Sequence, residues 1–167
     1  LVVLSIYSAR QGFLNARNAD EIQIRGFLMV FCITFTLGFF HFSILIPEFL
    51  NFAEIEIPGV FRQLLQRLGD HLKALDHQAT ELDEQIQTWH RESEASKTLA
   101  RIPGIGPLTA SALVASIGDA RSFKNGRQLA AWLGVVPRQH SSGGKPRLQG
   151  ISKRGDTYLR TLLIHGA

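Results

Sequence analysis

The chain has 167 residues, 45% of them hydrophobic and 19% charged, with a net charge of +4. That length allows one core, or a small domain with an appendage. A single cysteine, Cys32, excludes an intrachain disulfide and fits a reducing, cytoplasmic compartment.

Charge is uneven along the chain. Residues 101–160 hold ten Lys/Arg against two Asp/Glu, a local net of +8, which leaves the remainder at −4. A basic C-terminal block suggests a polyanionic partner. The six histidines are scattered without metal-ligand spacing, and His71 and His77 read as surface residues of a helix.

Residues 1–37 are expected to be mostly helical, with Arg10, Arg17 and Arg25 spaced at seven or eight and so near one face. From Phe27 to Ile46 the chain carries no Lys, Arg, Asp or Glu. By length this run is a transmembrane candidate. Thr34, Thr36, Gly38, His41 and Ser43 interrupt it, Pro47 and Glu48 close it, and no basic leader region precedes it. A buried core segment is the preferred reading, and a membrane is not an expected partner.

Residues 59–99 carry the clearest pattern. Apolar or small residues fall at Phe61, Leu65, Leu68, Leu72, Leu75, Ala79, Leu82, Ile86 and Trp89, alternating steps of four and three. This is a heptad seam, so a long helix with a partner helix is expected. The partner is either the first helix of the same chain or a second subunit. Gly69 is placed off the seam.

The stretch "RIPGIGPLTASALVASIGD" follows, from Arg101 to Asp119. Gly104 and Gly106 around a Pro-Gly-x-Gly turn let two helices approach closely. They also leave N–H groups open to a phosphate oxygen, as in a helix-hairpin-helix element. A plain interhelical turn fits the same residues. "NGRQLAAWLG", residues 125–134, reads as a short amphipathic helix with Leu129, Trp132 and Leu133 inward and Gly134 as its stop.

The next stretch, "RQHSSGGKPRLQGISKRGD" (138–156), is almost without apolar residues. Gly143, Gly144 and Gly150 punctuate a loop that carries Arg138, Lys145, Arg147, Lys153 and Arg154, and Asp156 reads as the N-cap of a last helix. Glycines allow close backbone approach and cations neutralise charge, which suits a phosphodiester. A serine here either donates a hydrogen bond to phosphate or attacks phosphorus. Residue types alone leave both roles open.

Residues 101–167, from "IPGIGPLTASALVASIGDARSFKNGRQLAAWLG" through "PRQHSSGGKPRLQGISKRGDTYLRTLL", resemble the C-terminal transposase domain of the IS110 insertion-sequence family. The preceding "RQGFLNARNADEIQIRGFL" and the leucine seam are similar to the long helices before that domain, and residues 30–50 fit less well. The resemblance implies a site-specific DNA recombinase guided by a structured non-coding RNA. It implies an N-terminal RuvC-like domain whose four acidic residues hold Mg2+. It also implies a coiled coil that drives oligomer assembly, and a serine that links covalently to DNA. By motif that serine is Ser142, with its neighbour Ser141 as the alternative; Gly143 and Gly144 follow it.

The RuvC-like domain has no counterpart in this sequence. Asp20, Glu21, Glu48, Glu54 and Glu56 do not reproduce its pattern. The chain starts at Leu1 and stops within a helical run, so it reads as a fragment, inactive alone and with no cofactor of its own. The expected architecture is mainly α. A helical remnant (1–58) leads to a coiled-coil helix (59–99), then a small helical domain (100–167) with a helix-hairpin-helix-like turn and a Gly-rich basic loop. Expected partners are DNA, a guide RNA, and a second copy through residues 61–89. The alternatives are a non-catalytic helical nucleic-acid-binding module and a membrane-associated helical protein.

Overall fold

The seam forms, and it finds its partner within the chain. A computed structural model describes residues 2–31, 58–139 and 148–166. Helix α1 spans Val2–Val30 and helix α2 spans Gly59–Glu92. On α2, Leu65, Leu72, Leu75, Ala79 and Ile86 are buried. Phe61, Leu68, Leu82 and Trp89 are half-buried, and most residues between them face solvent. Every expected seam position is thus covered, as a 3.5-residue period requires.

The chain divides into two compact units, Ser5–Gln85 and Ile86–Ala167 with Leu1–Leu4. In the first, α1 runs antiparallel to α2. Ile24 and Leu28 of α1 join Leu65 and Leu72 of α2 in one cluster, flanked by Phe61 and Leu68. The Phe31 and Phe61 rings lie 4.4 Å apart, and Phe27 meets Phe61 edge-on at 6.4 Å. Towards the start of α1 the seam turns polar. Asp20 accepts from His71 at 2.6 Å, Arg17 Nε reaches Asp76 at 2.9 Å, and Arg10 grips both oxygens of Asp83. Arg17 also donates to Glu21, which is buried beside it. A step of seven forward on α1, from Arg10 to Arg17, matches a step of seven back on α2, from Asp83 to Asp76. That fixes an antiparallel register.

Two expectations change here. The face expected to join a second copy through residues 61–89 is filled by α1 from Phe61 to Asp83, so the seam itself is not open to another subunit there. Gly69, off the heptad positions as expected, is nonetheless buried. Arg10 and Arg17 share the inward face, but Arg25 is exposed, because a step of eight turns about 80° away from it. Most of the charge-free run from Phe27 to Ile46 lies outside the described residues. Among those described, no helix is long and apolar enough to cross a membrane.

The second unit is built around helix α4 (Pro107–Ile117), which packs on α3 (Glu94–Leu99) and on α6 (Thr157–Gly166). Five consecutive α4 residues, Thr109 to Leu113, are buried. A helix apolar and small all round suits a central position. Its most deeply buried hydroxyl, Ser111, returns to the Pro107 carbonyl at 2.6 Å. Ser93 caps α3, and the buried Ser96 hydroxyl pairs with His90 Nδ1 at 2.7 Å.

A short 3-10 turn (Ala120–Ser122), capped by Asp119, leads to α5 (Gly126–Leu133). Asn125 caps α5 by accepting from the Gln128 N–H at 3.0 Å, and the Gln128 side chain accepts from the Lys124 N–H at 2.7 Å. Gly134 ends the helix in the left-handed region (φ 75°), as its position predicts. Leu133 is buried, but Trp132 is 41% exposed, against expectation. Its ring packs edge-on against Phe123 at 5.6 Å instead.

Two short strands then pair antiparallel, β1 (Pro137–Gln139) with β2 (Leu148–Ile151). The sequence reading treats 138–156 as loop throughout. The structure gives that loop a paired base and an irregular register between Pro137 and Gln139.

Candidate nucleic-acid interface

The Pro-Gly-x-Gly turn sits between α3 and α4. Gly104 has φ 84°, a conformation that favours glycine. Gly106 is the N-cap of α4, makes no side-chain cap, and Pro107 occupies the first turn. A Cβ on Gly106 would meet nothing within 4 Å, so the approach to this helix start is open. Gly104 is met from another direction. A Cβ on Gly166, near the end of α6, would collide with the Gly104 carbonyl.

The basic stretch after the strands is fastened at the other end of α6. The Ser152 N–H donates to the Val136 carbonyl at 2.8 Å, and the Lys153 N–H to the Gly134 carbonyl at 3.0 Å. Gly134 and Gly155 pack backbone against backbone. A Cβ on Gly155 would lie 2.2 Å from the Trp132 carbonyl oxygen, and one on Gly134 would lie 2.6 Å from the Gly155 nitrogen. Asp156 caps α6, as expected, accepting from the Leu159 N–H at 2.8 Å. Arg160 is buried and spent internally, donating to the Gly155 carbonyl and to Thr157.

Arg138, Lys153 and Arg154 therefore share one neighbourhood at the start of α6, and all three are exposed. Arg138 is partly committed, since Nε and Nη2 both donate to the Ser152 carbonyl. Gly104 abuts the far end of the same helix. Ten residues at 1.5 Å each separate the two ends by about 15 Å. The glycine turn and the Arg138, Lys153 and Arg154 group thus lie at opposite ends of α6. Ser141, Ser142, Gly143, Gly144, Lys145 and Arg147 lie outside the described residues, as does His140 beside them.

Three exposed cations were singled out by no motif: Arg121, Lys124 and Arg127, around the start of α5. They counted only towards the local charge. None of them, nor Lys153 or Arg154, forms an ion pair among the described residues. Asp119 and Asp156, the acidic residues of this block, are both occupied as helix caps. Among the described residues no group of three His, Cys, Asp or Glu side chains could hold a metal ion.

The described residues here form a small helical domain with a glycine turn, a short paired ribbon and exposed cations that make no ion pair among the described residues. Comparison with known proteins gives the family. Residues 96–167 match the model of the transposase IS116/IS110/IS902 family. The whole chain aligns with the "Probable family 20 transposase" of Pseudomonas aeruginosa, at 45% identity over 99% of this chain and 49% of that protein. It is 37% identical to the transposase for insertion sequence element IS1111A of Coxiella burnetii, over 99% of this chain and 45% of that one. It is 36% identical to the transposase for insertion sequence element IS1328 of Yersinia enterocolitica, over 98% and 48%. The chain belongs to the IS116/IS110/IS902 transposase family, through its C-terminal region, and spans about half the length of the curated relatives it matches.

Proposed function

We propose that this chain is the helical-hairpin and C-terminal part of an insertion-sequence transposase, that it binds DNA through its 101–160 surface, and that Ser142 is the nucleophile of the whole protein. The observation that carries the DNA reading is the set of exposed cations without ion-pair partners among the described residues. A surface left electrostatically unsatisfied suits a phosphate backbone, which supplies charge without demanding base recognition. The glycine turn before α4 adds backbone N–H groups towards a second phosphate.

In the proposed reaction, the Ser142 hydroxyl oxygen bonds to phosphorus and a deoxyribose oxygen leaves with a proton. The product is a serine–DNA phosphodiester and a free strand hydroxyl. Lys145, Arg147, Lys153 and Arg154 stabilise charge gathering on the phosphate oxygens. Magnesium belongs to the proposal only through the carboxylates of the RuvC-like domain of the family. The residues described here offer no ligand set, and no step is assigned to a metal. Guide RNA and self-association are likewise proposals for the whole protein. With α1 filling the seam as far as Asp83, self-association there would have to use another surface.

The test is a covalent adduct. The chain alone gives no strand cleavage. With the carboxylate domain, guide RNA and target DNA supplied, an adduct forms; Ser142→Ala abolishes it and leaves DNA binding intact. An adduct that survives Ser142→Ala and vanishes in Ser141→Ala moves the nucleophile by one residue. DNA binding without any adduct under these conditions favours the non-catalytic module.

A further inference from the structure

The connection from β2 to α6 is held by bonds from three sides: Val136, Gly134 and the Arg138 guanidinium. Within that frame two costly features persist. Lys153 has φ 56°, and it is the one non-glycine residue with positive φ among the described residues. A β-carbon is disfavoured there, and glycine or asparagine takes the conformation at lower cost. Ser152 is 8% exposed, and its hydroxyl oxygen is enclosed with no hydrogen-bond partner among the described residues.

Neither feature helps the chain fold. An unmade buried hydrogen bond and a left-handed lysine both destabilise, and alanine and glycine would avoid them. They occur side by side, in a segment otherwise tightly satisfied. The adjoining hairpin is irregular at Arg138, the residue whose side chain holds the Ser152 carbonyl. Irregular strand pairing of this kind re-aims side chains next to functional sites. Among the described residues of the Ser152–Asp156 connection, the Ser152 hydroxyl, the Lys153 ammonium and the Arg154 guanidinium are able to donate and are not engaged in a hydrogen bond or ion pair with another described side chain. The nearby carboxylate, Asp156, accepts from Leu159. Such a donor set calls for an anion with several acceptor oxygens.

We propose that Ser152 and Lys153 form a corner that holds one phosphodiester of DNA, the hydroxyl donating to a non-bridging oxygen and the ammonium neutralising its charge. Arg138 is the positioning residue that fixes the corner through the Ser152 carbonyl. Engagement uncovers the enclosed hydroxyl. The corner rests on the nucleic-acid reading above and adds to it a specific donor and a specific backbone conformation.

The experiment pairs melting temperature with binding of a short duplex DNA, measured by fluorescence anisotropy over a salt series. Ser152→Ala keeps or raises the melting temperature, while DNA affinity at low salt falls roughly tenfold, the loss of one hydrogen bond to a charged group. Lys153→Gly relieves the left-handed strain and raises the melting temperature. Its affinity falls, and its slope of log affinity against log salt becomes shallower by about one. A lower melting temperature in Ser152→Ala makes the hydroxyl structural and overturns the corner, whatever happens to affinity. Unchanged affinity in either variant also overturns it. An RNA duplex of the same sequence is the second arm. Loss on DNA, shared by RNA or not, supports the corner; loss on RNA alone overturns it. A wild-type chain with no salt-dependent binding defeats the nucleic-acid reading itself, whereas wild-type binding matched by Ser152→Ala defeats only the corner.

Discussion

Replacing Leu72 by alanine tests whether α1 and α2 of one chain are each other's partners. Leu72 is 1% exposed and lies in the cluster with Ile24, Leu28 and Leu65. Truncation removes the transfer energy of the lost carbons and leaves a cavity between two helices, together about 2–5 kcal/mol. Leu64 is the control, since it sits on the same helix but is 41% exposed. Leu64→Ala should stay within about 0.5 kcal/mol of wild type. The assay is urea unfolding followed by far-ultraviolet circular dichroism, at two protein concentrations that differ widely. Leu72→Ala should lower the midpoint with little change in slope, because the surface exposed on unfolding is nearly the same. Its effect should not depend on protein concentration, because the partner helix is covalently attached. Equal losses at Leu72 and Leu64 would refute the buried seam. A midpoint that climbs with protein concentration would refute the intramolecular pairing and restore a second subunit as the partner.

Arg17→Ala should cost roughly 2–3 kcal/mol, because it strands the buried Glu21 and removes one ion pair of Asp76. Replacing both Arg17 and Glu21 by apolar residues should recover most of that loss in the same unfolding assay, since no buried charge is then left alone. Gly155→Ala should cost about 3 kcal/mol or prevent folding, as its Cβ would press on the Trp132 and Leu133 carbonyls. Gly150→Ala meets nothing within 4 Å and should stay within about 0.5 kcal/mol in a thermal melt. Asn125→Ala should lose about 1 kcal/mol through the missing cap of α5, and Asn125→Gly only a few tenths.

Much of this molecule is legible from local chemistry. The heptad seam announces α2 because helical periodicity belongs to a single segment and needs no knowledge of its partner. Gly134, Asp156 and Gly104 are readable for the same reason. A left-handed stop, an N-cap and a tight turn are set by a residue's own side chain or the lack of one. The basic character of residues 101–160 is also a property of the sequence alone, because charge adds without regard to fold. What the tertiary structure decided is what these pieces meet. Only the packing shows that α1 fills the seam, since α1 carries Arg10, Arg17 and Glu21 where an apolar stripe would be sought. Their fitness for the seam depends on Asp76 and Asp83, more than fifty residues away. Gly155 looks like loop punctuation until Trp132 and Leu133 are placed against it. That Gly104 and Lys153 stand at opposite ends of α6 is likewise a fact of the fold alone. Ser152 reads as one more loop serine, and only burial leaves its hydroxyl without a partner among the described residues. Periodicity, caps and charge are local quantities, whereas register, close backbone approach and desolvation exist only between segments distant in sequence.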